Sequence, residues 1–297
     1  MATSAHHRPL EGSSEVQVGP SSELPSPVQT ACCDNLSLLA SLPDEHCDLI
    51  YADPPFNCNR TLGPAKSAQH TFPDRHDGGP EGYRAFLRPR LAEMHRVLSV
   101  TGSLYVHLDW HACHHVRVLL DEIFSAENFL NEIVWAYRSG GRPGRWFGRK
   151  HDTILLYAKQ VGRHTFHQQR GGAYRTQGLR TLDDGVLYKN TQNGRIYFDP
   201  AGPVLSDVWD IPFLSTVSKQ RTGYPTQKPV ALLERIIRAS SNEGDLVGDF
   251  FCGSGTTLVA AVELDRRGIG CDINPDAVAL TRQRLDALDR SETRPRS

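Results

Sequence analysis

The spacing of apolar positions changes several times along the chain, and each change marks an element. Between Asp34 and Pro43 the leucines fall at 36, 38, 39 and 42, the pattern of a short helix, and the run CDLIYAD after it predicts a buried strand ending at Asp53. YRAFLRPRLAEMHRVLSVTGSLYVHLDW predicts a helix and then a strand over 103–108, with Gly102 as the stop between them, and HACHHVRVLLDEIF predicts another helix. NEIVWAY and HDTILLYAK are two further strand-like runs. Toward the C-terminus, Pro229 opens a helix with Leu232, Leu233, Ile236 and Ile237 on one face, followed by strand (DLVGDFF), turn (GSGTT), helix (TLVAAVELDR), strand (GIGCD) and a last helix (PDAVALTRQRLDAL). Strands joined through helices predict an α/β, doubly wound, mostly parallel sheet, with ligands at the C-terminal ends of the strands.

The pattern is interrupted in four places. Residues 1–28 are rich in Ser, Pro, Glu and His without periodicity and read as a disordered tail, since they cannot bury enough apolar area to offset their ordering entropy; 291–297 form a second tail. Residues 57–82 form a Gly-, Pro- and Asn-rich loop directly after the first strand, long enough to act as a lid that closes on a ligand. Residues 161–222 are polar and Gly-rich with short strand candidates, and read as an insert between the halves 29–160 and 223–290.

Composition narrows the class of protein. At 297 residues, 39% hydrophobic and 23% charged, the chain suits one main domain plus that insert. It has no run of 18 apolar residues, and its first residues lack the apolar stretch of a signal peptide, so a cytoplasmic protein with no membrane partner is expected. The seven cysteines (32, 33, 47, 58, 113, 252 and 271) are scattered without C-x-x-C pairs, which predicts reduced thiols and neither a disulfide framework nor a zinc knuckle. A net charge of -1 argues against nonspecific coating of nucleic acid but leaves room for a local basic surface.

Two motifs carry chemistry. The turn DFFCGSGTT, Asp249 to Thr257, joins a buried strand to a helix. Its glycines let a ligand approach the backbone, and the helix start offers unpaired N–H groups. Leu258 stands where a dinucleotide fingerprint would have its third glycine, which disfavours a pyrophosphate cofactor. Asp272, 17 residues after Gly255 at the end of the next strand, has a spacing suited to ribose hydroxyls. Alone, the loop also reads as a packing turn. The second motif, Asp53-Pro54-Pro55-Phe56, sets a carboxylate beside a proline carbonyl, two acceptors suited to one planar NH2 group, with a flat ring against which a heteroaromatic base can stack.

With those motifs, the chain resembles the S-adenosylmethionine-dependent DNA amino-methyltransferases in which the catalytic box precedes the cofactor loop. The stretches CDNLSLLASLPDEHCDLIYADPPFN, GSLYVHLDWHACHHVRVLLDEIF, NEIVWAYRSGGR, RKHDTILLYAK, DVWDIP, YPTQKPVALLERII and GDFFCGSGTT look like that family's blocks and span most of 29–160 and 205–287. The resemblance implies a permuted, Rossmann-like seven-stranded methyltransferase sheet, with a catalytic half at 29–160, a target-recognition insert at 161–222 and a cofactor-binding half at 223–290. It also implies S-adenosyl-L-methionine as cofactor, with Asp34 facing its adenine, Asp272 on its ribose, and Gln227 and Lys228 near its methionine end. The candidate cofactor set is then Asp34, Asp53, Gln227, Lys228, Asp249, Phe251, Gly253, Ser254, Gly255, Thr256, Thr257 and Asp272, and the candidate catalytic set Asp53, Pro54, Pro55 and Phe56.

The chemistry these residues suit is direct methyl transfer to the exocyclic amine of a base rotated out of double-stranded DNA. Adenine N6 is preferred because the cytosine-modifying members more often carry Ser at the position of Asp53; cytosine N4 is the alternative. An RNA or protein amide methyltransferase, which usually shows Asn before Pro-Pro, and a silent DNA-binding module are the rivals. Arg138, Arg142, Arg145, Arg149 and Lys150 place five cations in thirteen residues, suited to DNA phosphates. The reading extends to a nucleoid location, a homodimer and a companion restriction endonuclease. His111 and His115 share a helical face beside Cys113, but no acidic ligand or second Cys completes a tetrahedral set, so no metal is expected.

Overall fold

The computed structural model describes residues 27–56, 60–62, 72–74, 78–137, 143–215, 217–218 and 220–292. Its centre is an eight-stranded sheet made of β1 (Val28–Cys32), β2 (Cys47–Ala52), β5 (Leu98–Leu108), β6 (Phe129–Ala136), β7 (His151–Ala158), β11 (Val208–Asp210), β12 (Leu246–Asp249) and β13 (Arg267–Asp272), in the order β1-β13-β12-β2-β5-β7-β6-β11. All neighbours pair in parallel except β7, which is antiparallel to both β5 and β6. The sheet thus has eight strands where seven are expected, and Val208–Asp210 of the DVWDIP stretch is a short edge strand on β6.

Helices cover both faces. β2 shows why its sequence lacks alternation: Ile50 and Ala52 pack with Leu87, Leu91 and Met94 of α2 (Gly79–Val97) and Val116 and Leu120 of α3 (Cys113–Phe124), while Leu49 and Tyr51 pack with α4 (Val230–Ser240) and α5 (Thr256–Glu263). The expected stripe on α4, Leu232, Leu233, Ile236 and Ile237, is fully buried. The short α1 (Asn35–Ser41) follows β1, and α6 (Pro275–Glu292) follows β13.

Three local expectations change. β5 begins at Leu98, directly after α2, so Gly102 is inside the strand and does not stop the helix. A Cβ on Gly102 would lie 2.9 Å from the Asp48 carbonyl oxygen and 2.6 Å from Leu98 Cδ1, beside the register shift between β2 and β5. Glycine is needed there for close approach, not for a turn. β1 has no counterpart among the expected elements: its five residues include Gln29 and Thr30, and they become a strand by pairing with β13 at the sheet edge. It takes in Val28, and Pro27 already accepts a bond from Gly268 N at 2.8 Å. The rest of the N-terminal tail and residues 293–297 of the C-terminal tail fall outside the described residues.

Of the 57–82 loop, β3 (Arg60–Leu62) pairs antiparallel with β4 (Phe72–Asp74), residues 78–82 contain the start of α2, and the remainder lies outside the described residues, as does any lid it would form. Within 161–222, β8 (Arg180–Thr181), β9 (Leu187–Thr191) and β10 (Gly194–Tyr197) make a small antiparallel sheet. The flanking segments are tied to the main body: His167 N donates to Ala239 O at 2.7 Å, Gln169 Nε2 donates to Arg235 O at 2.8 Å, and β11 rejoins the sheet.

Candidate active site

Four neighbouring parallel strands, β1, β13, β12 and β2, each lead at their C-terminal end to an aspartate: Asp34, Asp272, Asp249 and Asp53. All four line one cavity of about 350 Å³, together with Pro54, Pro55, Phe56, Lys228, Phe251, Gly253, Ser254, Thr256 and Thr257. The two motifs, separated by nearly two hundred residues in the chain, therefore share a single pocket because β2 and β12 are adjacent in the sheet.

Asp53 leaves β2 at the cavity wall, and its Oδ2 is ion-paired with Lys228 Nζ. The same ammonium stands 5.4 Å from the centre of the Phe56 ring. Phe56 in turn lies 5.9 Å from the His107 ring, tilted by 31°. His107 is fully buried: Nδ1 is 2.7 Å from the Tyr51 hydroxyl and Nε2 is 3.3 Å from Asp152 Oδ2, whose other oxygen accepts from Tyr137 OH at 3.1 Å. Burial raises the Asp152 carboxyl, but the His107 hydrogen bond and charge, the Lys228 charge and the Tyr137 hydroxyl outweigh it and hold the group below its ordinary range.

At the 249–257 turn, Asp249 is buried and accepts from Phe251 N at 3.1 Å and from the Thr257 side chain. Desolvation nevertheless pushes its carboxyl up to about 7, with the charges of Asp53 and Asp272 adding to the effect. Asp272 accepts from Gly253 N and Asn274 N, both at 2.9 Å, and burial raises it as well. Asp34 caps α1 through Leu36 N at 2.8 Å and pairs with Arg90 Nη2 at 2.7 Å. An acidic pocket whose cations among the described residues are Lys228 and Arg90 suits a ligand that carries positive charge of its own.

Two residues of the candidate cofactor set are elsewhere. Gln227 is buried in the loop before α4, where Oε1 accepts from Thr222 N and Oγ1, each at 2.8 Å, and Nε2 donates to Gln220 O at 2.6 Å; it braces that loop and does not line the cavity. Gly255 is the N-cap of α5 with φ +73°, and a Cβ there would come within 2.5 Å of Thr281 Oγ1, so its role is to let α6 pack on the loop. Gly253, at φ +48°, leaves room for the Tyr224 ring, 3.2 Å from where a Cβ would be.

The cavity also recruits residues that sequence reasoning missed. Arg90 is the clearest: its guanidinium lies 3.8 Å over the Phe86 ring and bonds Phe86 O as well as Asp34. A charged residue on the face of α2 that also presents Leu87, Leu91 and Met94 was the available signal. Asn35 lines the pocket too. Its Nδ2 donates to Phe250 O at 3.0 Å, while its buried Oδ1 has no hydrogen-bond partner among the described residues, an acceptor a ligand would satisfy. No spacing in the sequence pointed to Asn35 or Tyr224.

Of the candidate DNA cations, Arg138 and Arg142 lie outside the described residues. Arg145 and Arg149 are exposed and Lys150 is half-buried in the segment leading into β7, at the sheet edge where Asp53 also emerges. The histidine cluster does not converge: His111 Nδ1 is 2.5 Å from Asp109 Oδ2, Cys113 is buried at the start of α3, and among the described residues no group of three His, Cys, Asp or Glu side chains is arranged to hold a metal.

A family model described as DNA methylase, of N6/N4 methyltransferases, matches residues 47–283. The type II methyltransferase M.HpaI of Haemophilus parainfluenzae is 32% identical over 256 residues, covering 86% of this chain and 73% of the relative. The DNA adenine methyltransferase YhdJ of Escherichia coli (strain K12) is 31% identical over 259 residues, covering 85% and 81%. Among solved structures, an M1.HpyAVI–SAM complex superposes with a TM-score of 0.56 at 19% identity over 87% of this chain and 99% of the other, a likeness of fold.

Proposed function

The chain belongs to the DNA methylase family of N6/N4 methyltransferases, and from that premise we propose that its four-aspartate pocket methylates the N6 amine of an adenine extruded from a specific site in double-stranded DNA, using S-adenosyl-L-methionine. The observation that carries this is the meeting of the Asp53-Pro54-Pro55-Phe56 box and the 251–254 turn at one cavity. Adenine is supported by Asp53 itself and by the 31% identical relative being named a DNA adenine methyltransferase.

The residues divide the work as follows. Asp34, Asp249 and Asp272, with Asn35 and the backbone of the 251–254 turn, would hold the cofactor; the acidic lining and the unpaired Asn35 Oδ1 fit a cationic, adenine-bearing molecule. Bound there, S-adenosylmethionine supplies an electrophilic sulfonium methyl group. Phe56 stacks on the extruded base and offsets part of the stacking lost from the duplex. One amine N–H donates to Asp53 Oδ1 and the other to the Pro54 carbonyl, which draws the nitrogen toward tetrahedral geometry and frees its lone pair from the ring. Lys228 stays on Oδ2, which leaves Oδ1 to accept from the amine and to take the proton the amine releases. Catalysis is thus mainly positioning and electrostatics, with no cysteine nucleophile required.

Residues 161–222 supply target recognition in this reading, with Arg145, Arg149 and Lys150 on phosphates. The protein works in the cytoplasm on the chromosome, self-associates, and is paired with a restriction endonuclease of the same site. No described helix is long and apolar enough to cross a membrane. The test is expression in a methylation-free host and single-molecule mapping of modified bases. Methyl groups on adenine N6 at one sequence are expected, and Asp53→Ala should lower transfer by at least about a hundredfold while the purified variant still binds cofactor. Full activity in that variant would remove Asp53 from its assigned role. Methylcytosine in the map would correct the target base, and an unmodified genome would refute the activity.

A further inference from the structure

The described surface has a concentration of exposed aromatic rings just after β5 and just before β7, at the end of the sheet from which Asp53 emerges. Phe147 is 98% exposed, Trp146 61% and Trp110 43%. Water strongly disfavours leaving a whole Phe ring uncovered, and large exposed apolar side chains grouped with cations mark a binding surface. The rings are held in a column: Trp110 lies 3.6 Å from the His111 ring, the Arg149 guanidinium lies 3.7 Å over Trp110, and Trp146 is 6.0 Å from that guanidinium.

Both ends of this column are anchored to the catalytic framework. Asp109, the residue after β5, fixes His111 through its backbone N at 2.8 Å and its ring at 2.5 Å. On the other side, Tyr137 N donates to Lys150 O at 2.8 Å, and the Tyr137 hydroxyl reaches Asp152, which contacts His107 behind Phe56. Arg145 and Arg149 flank the two exposed rings with positive charge, the complement of a phosphate backbone and not of a lipid interior or an apolar protein groove. A Cβ built on Gly144 meets nothing within 4 Å, so the chain just before Arg145 and Trp146 has open space beside it.

We propose that Trp146 and Phe147, backed by the Trp110–Arg149 stack, form a wedge that enters the base stack of duplex DNA beside the target and fills the gap while the target base occupies the pocket at Asp53. Apolar side chains inserted between base steps are a known means of unstacking a duplex, and a ring that takes the vacated place makes extrusion less costly. The proposal rests on the DNA methyltransferase reading and adds to it the element that opens the helix.

The experiment compares methylation of two duplexes carrying the mapped site, one fully paired and one with an abasic position opposite the target, which needs no pair broken. Phe147→Ala and Trp146→Ala should each slow transfer on the paired duplex by about tenfold or more and on the abasic duplex by no more than about threefold, with cofactor affinity unchanged. Phe147→Leu, which keeps an apolar plug, should recover most of the rate. Equal losses on both duplexes, no loss on either, or a change in oligomeric mass accompanying the loss would overturn the wedge. Failure of the unsubstituted protein to methylate either duplex would overturn the parent reading and the wedge with it.

Discussion

Asp249 is the residue whose environment most changes its chemistry. With its carboxyl raised to about 7 by burial, the folded protein retains a proton there that the unfolded chain, near the ordinary 3.8, has already lost. Stability contributed at this site is therefore present at low pH and falls as pH rises from about 4 to about 7, by up to about 4 kcal/mol, after which it is flat. Asp249→Asn should abolish that slope, measured by urea unfolding of the free protein at pH 5, 6, 7 and 8; an unchanged slope would show that Asp249 is ionised throughout. A cation bound beside it would restore the charge, so cofactor binding at pH 6 should release a proton, seen in calorimetry as a heat that depends on the buffer and that disappears in the variant. At this scale the sequence was informative about Asp53, Asp249 and Asp272, which sit in motifs whose spacing implies a ligand. It was silent on Asn35 and on the bracing role of Gln227, since both depend on which backbone atoms fold back onto them.

At the scale of elements, glycine positions separate what local rules reveal from what they hide. Gly255 belongs to the cofactor turn by sequence, yet its constraint comes from α6: φ is +73° and Thr281 occupies the space a side chain would need. Gly255→Ala should destabilise the protein by about 2 kcal/mol or more, combining left-handed strain with overpacking, and should weaken cofactor binding by tilting the start of α5. Thr281→Ala in the same chain should recover the steric part only, leaving a deficit from φ; full recovery in thermal unfolding would contradict the strain argument. Gly102 is the converse case. It looked like a helix stop because glycine so often ends helices, whereas here it lets β5 approach the Asp48 carbonyl across the register shift. Helix α4 and strands β2, β7, β12 and β13 were legible because their burial is uniform along a face. β1 and β11 were not, since edge strands of three to five residues acquire their structure from a partner.

For the whole molecule, a net charge of -1 means that affinity for a polyanion must come from local placement of cations, such as Arg145 and Arg149 at the rim of the sheet where Asp53 emerges. Arg145→Ala should lower the slope of log affinity against log salt by about one, measured by anisotropy with duplex DNA over a range of salt, and an unchanged slope would place Arg145 away from phosphate. The placement of that rim follows from strand order. By itself the sequence determined the α/β alternation, the two motifs and the kind of chemistry they suit, because apolar period, turn residues and donor types are local properties of the chain. Only the tertiary structure decided that β1, β13, β12 and β2 stand side by side, so that four aspartates from distant segments meet in one cavity, Lys228 falls on Asp53 and Arg90 on Asp34. The order of strands in a sheet is fixed by burying both faces of every strand at once, a condition on the whole chain that no short stretch encodes.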